Sequence, residues 1–236
     1  MPTLSIHNRF NGPANSANGG YVSGLLANYV DGAAEVRLHK PPPLDRSLTV
    51  RHDNDSVVLI QGETLIATAS PATLDFDVPQ PPTNQQAEAA AQRYVGFTHH
   101  YFPTCFVCGP NRDEGDGMHI FAGKVPNKEL VAAPWSPAAE MAGPDGVVLP
   151  EYLWAALDCP GAFAFGRDNN PMVLGTMAAE ILAPLAPGEE CVVIGWPRRS
   201  DGRKHFSGTA VFTTNGDLIA RARATWIELE SLKMFG

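Results

Sequence analysis

Cysteine is scarce: the 236-residue chain has four, too few and too scattered for a disulfide framework. Charged residues are sparse too, at 18% against 44% hydrophobic, a balance that excludes a disordered chain and fits a globular one. Basic residues are outnumbered, 17 Lys and Arg against 25 Asp and Glu, for a formal net charge of −8. That excludes a nucleic-acid surface over most of the protein, though not a local basic patch. No apolar run approaches the length of a transmembrane helix, and the opening "MPTLSIHNRF" lacks the basic-then-apolar pattern of a secretory leader. The expected compartment is the cytoplasm, with neither membrane nor nucleic acid as partner. There is no Walker loop, no GxGxxG after a strand, no HExxH and no GxSxG elbow, so the chemistries those motifs carry have no sequence support.

Two of the cysteines, Cys105 and Cys108, form a CxxC in "PTCFVCGPNRDEGDG". A structural zinc needs four ligands, and no second CxxC or close Cys/His pair completes the set, although His99 and His100 lie nearby. A thioredoxin-like redox pair would need a helix to start after the first cysteine, and this stretch is a turn-rich loop. The expectation is no metal.

The chain divides around residues 77–104, where "DVPQPPTNQQ" reads as a linker and "AEAAAQRY" as a short helix. The units flanking it are 1–76 and 105–236. The first has an amphipathic helix, "GGYVSGLLANYV", then strands "AEVRLHK", "RSLTVRHD", "SVVLIQ" and "ETLIATASPATLDF". The second opens with strands "GMHIFAG" and "ELVAAPW". A helix and the strands "MVLGTMAAEILAPL", "ECVVIGWP", "KHFSGTAVFTT" and "DLIARARATWIEL" follow. "GETLIATASPATL" (62–74) parallels "GDLIARARATWIEL" (216–229), and "PPL" before "SLTV" parallels "APL" before "ECVV". Two matches in the same order indicate internal duplication, each unit being one helix buried against an antiparallel meander.

The second helix, "LPEYLWAALDCPG" (149–161), is apolar except for its acids. Positions 151, 154, 155 and 158 share a face, so Asp158 sits at the edge of the apolar stripe, where loss of water raises a carboxyl pKa. It is either a carboxylate near a helix end with backbone or solvent partners, or a chemical group.

The segment "CFVCGPNRDEGDGMHIF" resembles the opening of hot-dog acyl-CoA thioesterases of the phenylacetate-pathway type, and "GRKHFSGTAVFTTNGDLIARARATW" resembles their closing hairpin. The likeness covers 105–229, and 10–74 more weakly through the duplication. It implies an α+β double hot-dog, two helix-wrapped antiparallel sheets joined into one continuous sheet, and recasts the CxxC as a strand lead-in. In that family the helix opens with His-Gly-Gly and carries an acid nine residues after the histidine; the acid is base or nucleophile, and a backbone N–H at the helix start polarises the thioester carbonyl. Here Asp158 matches the acid, but Leu149 stands where the histidine would be. In the first half Asn18-Gly19-Gly20 matches the helix start, but Ala27 stands where the acid would be. Because family sites draw acid and N–H from opposite subunits, the resemblance implies one composite site of Asp158 with Gly19 and Gly20. The plain alternative for the glycines is the geometry of a helix start.

The family often has a threonine on the strand after the helix. Counting back from Pro184 puts that position near Leu174, with Thr176 two residues on, and Thr176 shares a strand face with Glu180 by alternation. The basic cluster Arg198, Arg199, Arg203 and Lys204 is either a solvated hairpin tip or a clamp for coenzyme A phosphates, in which Arg199, Arg203 and Lys204 would make the contacts. The hydratase signature Gly-Asp-x-Asn-Pro-x-His of the same fold is absent. The implied activity is hydrolysis of an acyl-CoA, with no cofactor beyond the coenzyme A of the substrate and a homo-oligomeric assembly. The alternatives are a non-catalytic acyl-CoA or lipid-binding protein, or an interaction subunit without an acyl pocket.

Overall fold

The computed structural model describes residues 2–166 and 171–233; the last three residues of the expected second unit lie outside them. Its elements in chain order are β1 (Thr3–Ser5), α1 (Gly19–Ala27), β2 (Ala34–Leu38), β3 (Ser47–Asp53), β4 (Ser56–Gln61) and β5 (Thr64–Pro71). Then come α2 (Asn84–Ala91), β6 (Gly123–Lys124), β7 (Val131–Trp135), α3 (Pro150–Ala156) and α4 (Cys159–Phe163). β8 (Met172–Ile181), β9 (Cys191–Asp201), β10 (Lys204–Thr213) and β11 (Leu218–Glu228) complete the chain.

Alternation along the strands makes the sheet two-faced. In β3, Leu48 and Val50 are fully buried while Arg51 is exposed. In β11, Ala220, Ala222, Ala224 and Trp226 turn to the core, and Arg221 and Arg223 between them bond Glu180 on the adjacent β8 and Glu35 on β2, one strand further on. The result is an 11-stranded sheet in the order β1-β3-β4-β5-β2-β8-β11-β10-β9-β7-β6. Read outward from its centre, each half gives the same succession, since β2, β5, β4, β3 and β1 correspond to β8, β11, β10, β9 and β7. β5 and β11 carry the matching Leu-Ile-Ala segments, so the duplication in sequence is a duplication in topology. The halves join where β2 pairs antiparallel with β8, Ala34 opposite Ala179 and Val36 opposite Met177. Both outer edges are very short strands, which blunts pairing with other chains.

Against one face lie α1 and α3, packed on each other through α1 glycines four residues apart and therefore on one helix side. A Cβ on Gly20 would come 2.6 Å from both Asp158 Cβ and the Trp154 carbonyl oxygen, and one on Gly24 would come 2.5 Å from Glu151 Cα. Only hydrogen at both positions allows so close an approach. On the other face α2 covers the second half, with Ala87 and Ala90 buried among Val192, Ile194, Ala210 and Phe212. The expected linker helix is thus a packed element. It starts at Asn84 because Thr83 and Gln86 form a reciprocal capping box, a signal present in "TNQQ".

Two expectations need correction. "GMHIFAG" is not a strand apart from Gly123: Gly117 and His119 have φ of 101° and 51°, which break extended backbone before β6 begins. The helix through Asp158 is also two helices, for the reason given below. Among the described residues no helix is long and apolar enough to cross a membrane.

Candidate functional site

Proline sets the position of the acid. Pro160 has no N–H and its ring excludes a carbonyl four residues back, so α3 ends at Ala156. The chain restarts as α4, leaving Asp158 between the two at φ −79°, ψ −85°. The Leu157 carbonyl freed by the break accepts a hydrogen bond from Thr209 Oγ1 on β10 at 2.7 Å. Asp158 is thereby fixed at the helix junction, 3% exposed.

Its partners come from the other half of the chain. Asp158 Oδ2 accepts hydrogen bonds from Asn18 Nδ2 at 2.8 Å and from the Gly20 N–H at 3.0 Å. Asp158 Oδ1 is buried with no partner among the described residues. Asn18 does two jobs, since its Oδ1 caps α1 by accepting the Tyr21 N–H at 2.9 Å. Burial pushes the Asp158 pKa up to about 7, against the opposing pull of the Gly20 N–H and the Asn18 amide, and Cys105 nearby adds to the rise.

The carboxyl group lies in the wall of an apolar cavity of about 370 Å³. Leu38, Phe163, Met172, Leu174 and Trp226 give it its apolar character, with Gly19 in the wall and Lys40 the lysine among its lining residues. The Gly19 N–H, at the positive end of α1, has no hydrogen-bond partner among the described residues. The cavity therefore combines a desolvated carboxylate, a free backbone donor and apolar walls.

Solved structures with this architecture exist in several bacteria. A protein provisionally named thioesterase II from Thermobifida fusca YX superposes with a TM-score of 0.62 at 14% identity, over 97% of this chain and 92% of its own. The tesB protein MAP1729c of Mycobacterium avium subs paratuberculosis gives 0.61 at 12% identity, over 96% and 92%. A conserved protein of unknown function with hot dog fold from Alicyclobacillus acidocaldarius gives 0.63 at 11%, over 98% and 93%. The chain is a double hot-dog. No family model and no curated protein matches its sequence.

Within the double hot-dog, the sequence-derived residues fall into two groups. Asn18, Gly19, Gly20 and Asp158 meet across the halves as expected, with one revision. The Gly20 N–H is engaged by Asp158 itself, so the free donor at the helix start is that of Gly19. At the opposite end of the helix pair, Ala27 has no acid to offer, and Asn28 Nδ2 bonds Glu151 Oε2 at 3.2 Å instead.

Thr176 is not brought to the site. It lines a separate cavity with Glu35, Arg199, Phe206 and Arg223, while Leu174 lines the cavity beside Asp158. The cause is a bulge: Thr225 pairs with Thr176 but Trp226 pairs with Leu174, so Gly175 is an extra residue. Leu174 and Met177 both reach the core, and period-two counting across Gly175 assigns Thr176 to the wrong face.

The basic hairpin is not brought to the cavity either. Arg199 lies over the Phe206 ring at 3.9 Å from its centroid, Arg203 pairs with Glu230 at 3.6 Å, and Lys204 is exposed. Sequence reasoning also missed Cys159 and Lys40, both in the cavity lining, and noted His100, a third lining residue, only as a neighbour of the CxxC. Cys159 and His100 carry no periodic or motif signal pointing to one another; only the fold brings them together.

Proposed function

We propose that this double hot-dog hydrolyses an acyl thioester, with acyl-CoA as the substrate class and Asp158 as general base or nucleophile. One observation carries the reading: a buried carboxylate gripped through one oxygen by the opposite half of the chain, its other oxygen unpartnered, in the wall of an apolar cavity. That is where an acyl group can lie in low dielectric with its carbonyl carbon presented to the acid. The Gly19 N–H is suited to the oxyanion that develops as the carbonyl is attacked, since a donor fixed before reaction needs no reorganisation. The acid then either activates water or attacks directly to give an anhydride that water opens; both routes give carboxylic acid and free thiol.

The test is thiol release from a panel of acyl-CoA substrates differing in chain length. Hydrolysis of at least one, saturable in substrate, supports the reading. Tight binding without turnover by the native protein would favour an acyl-CoA or lipid-binding role, for which the engagement of Gly20 by Asp158 is the specific argument.

Lys40 is the residue we assign to coenzyme A phosphates, because it lies in the cavity lining and the hairpin does not. Lys40→Glu is expected to raise KM several-fold, with kcat less affected and the effect shrinking as salt rises. Reversal at Lys204 is the comparison; equal changes in KM for the two would return phosphate binding to the hairpin. Oligomerisation, also part of this reading, would use a sheet face, because the edge strands are too short to pair well.

A further inference from the structure

Three of the four cysteines, the CxxC pair and one 54 residues beyond its first member, converge at one point. Cys105 and Cys108 come from the turn after α2, and Cys159 opens α4. Their three sulfurs lie within 4.8 Å of one another, all buried and none in a disulfide. We propose that Cys105, Cys108 and Cys159 bind a thiophilic divalent cation, with zinc as the ion that best fits three thiolates.

Distances and donors support this over plain packing of small apolar side chains. Zinc–sulfur bonds of about 2.3 Å place two sulfurs of a tetrahedral site about 3.8 Å apart. Cys105 and Cys159 Sγ are separated by 3.7 Å. The Cys-Phe-Val-Cys-Gly turn is closed by the Gly109 N–H, which donates to the Cys105 carbonyl at 2.8 Å. A Cβ on Gly109 would lie 2.5 Å from the Cys105 nitrogen, so the turn can be this tight only with glycine there. Tyr94 steadies it by donating its hydroxyl to the Cys108 carbonyl at 2.9 Å. Asn18 Nδ2 stands 3.8 Å from Cys105 Sγ and 4.0 Å from Cys159 Sγ.

His100 Nδ1 accepts the Phe102 N–H at 3.0 Å, which leaves the proton of a neutral ring on Nε2, 3.4 Å from Cys108 Sγ. In this orientation the imidazole donates to sulfur, as a group supporting a bound thiolate does. The fourth ligand is then solvent from the cavity, which all three cysteines line. A disulfide between Cys105 and Cys159 would use two of the sulfurs and leave Cys108, with its donor, unexplained.

The site does not rest on the thioesterase reading: zinc could be absent from an active hydrolase, or present in an inactive protein. The test is elemental analysis of the full chain purified from zinc-supplemented cells without a metal-affinity tag. Cobalt titration of the chelator-treated protein under reducing conditions follows. We expect about one zinc per chain and an intense thiolate-to-cobalt charge-transfer absorption. Cys159→Ser should weaken cobalt binding by more than the roughly hundredfold typical of removing a supporting group. Cys191→Ser, whose thiol is elsewhere, should bind normally, and Asp158→Asn should keep the metal.

Cobalt binding by the native chain is a criterion independent of whether the serine variant folds. A native protein that takes up no zinc and gives no charge-transfer band overturns the site. So does a folded Cys159→Ser chain with an unchanged band, or an intact mass two hydrogens short, which would identify a disulfide.

Discussion

Asp158→Asn is expected to lower kcat for acyl-thioester hydrolysis by at least about a hundredfold, the lower range for losing a positioned acid–base group, while substrate binding changes little. Asparagine has the same shape, and its carbonyl oxygen can still accept from the Asn18 amide and the Gly20 N–H, which hold the present Oδ2 at 2.8 and 3.0 Å. What it lacks is basicity and nucleophilicity. KM or direct titration with a substrate should therefore stay near the native value, separating loss of chemistry from loss of the cavity. Ala27→Ser at the pseudo-equivalent position of the first half is the internal control. It alters a buried position with no acid and no place in the cavity lining, so its packing cost should fall on stability while kcat stays within about twofold of native. Full activity in Asp158→Asn would make the carboxylate a structural group, and equal losses at both positions would refute a single composite site.

Gly24→Ala is expected to destabilise the protein by roughly 1–3 kcal/mol, the range for forcing an extra methyl group into a packed contact. Helix propensity alone predicts the opposite sign, since alanine is favoured over glycine by about 1 kcal/mol within a helix. Geometry decides between them. The new Cβ would lie 2.5 Å from Glu151 Cα and 2.9 Å from Trp154 Cβ, and the first of these is backbone that no rotamer change can remove. α1 and α3 must move apart, taking the Asn18–Asp158 contact with them, so activity should fall along with stability. Equilibrium denaturation reads the first effect and thiol release the second. A stabilised Gly24→Ala protein would show that the helices have slack, and would contradict the close approach.

The repeated Leu-Ile-Ala strands and the helical spacing were sufficient for two duplicated units of helix and meander, because both are local signals; the double hot-dog itself was implied by the segments that resemble that family. Asp158, Asn18, Gly19 and Gly20 were reachable through counted positions in a resembling family, since insertions had not shifted the helix. Thr176 was misplaced by one bulged glycine, which inverts strand faces and leaves no mark in hydrophobicity. "GMHIFAG" looked like a strand from its apolar residues, but the φ of Gly117 and His119 was set by the loop around them. Gly20 and Gly24 were read as helix-start and helix residues; their real constraint is a partner helix more than 120 positions further along. The thiol cluster depends on a third cysteine from the second helical region, and its convergence with the CxxC is tertiary information only.

The antiparallel junction of β2 with β8 also has a kinetic consequence. Each half can form its own hairpins from neighbours in the chain, but the seam joins Ala34 to Ala179, and the acid meets its cap across a separation of 140 residues. Contacts so distant gain nothing until the loop between them has closed, so they belong to the slow end of folding. The Asn18–Asp158 pair can therefore exist only after both halves have condensed and docked. Ligand binding during refolding should lag behind the appearance of secondary structure, and the cavity would act as the molecule's own indicator that assembly is complete.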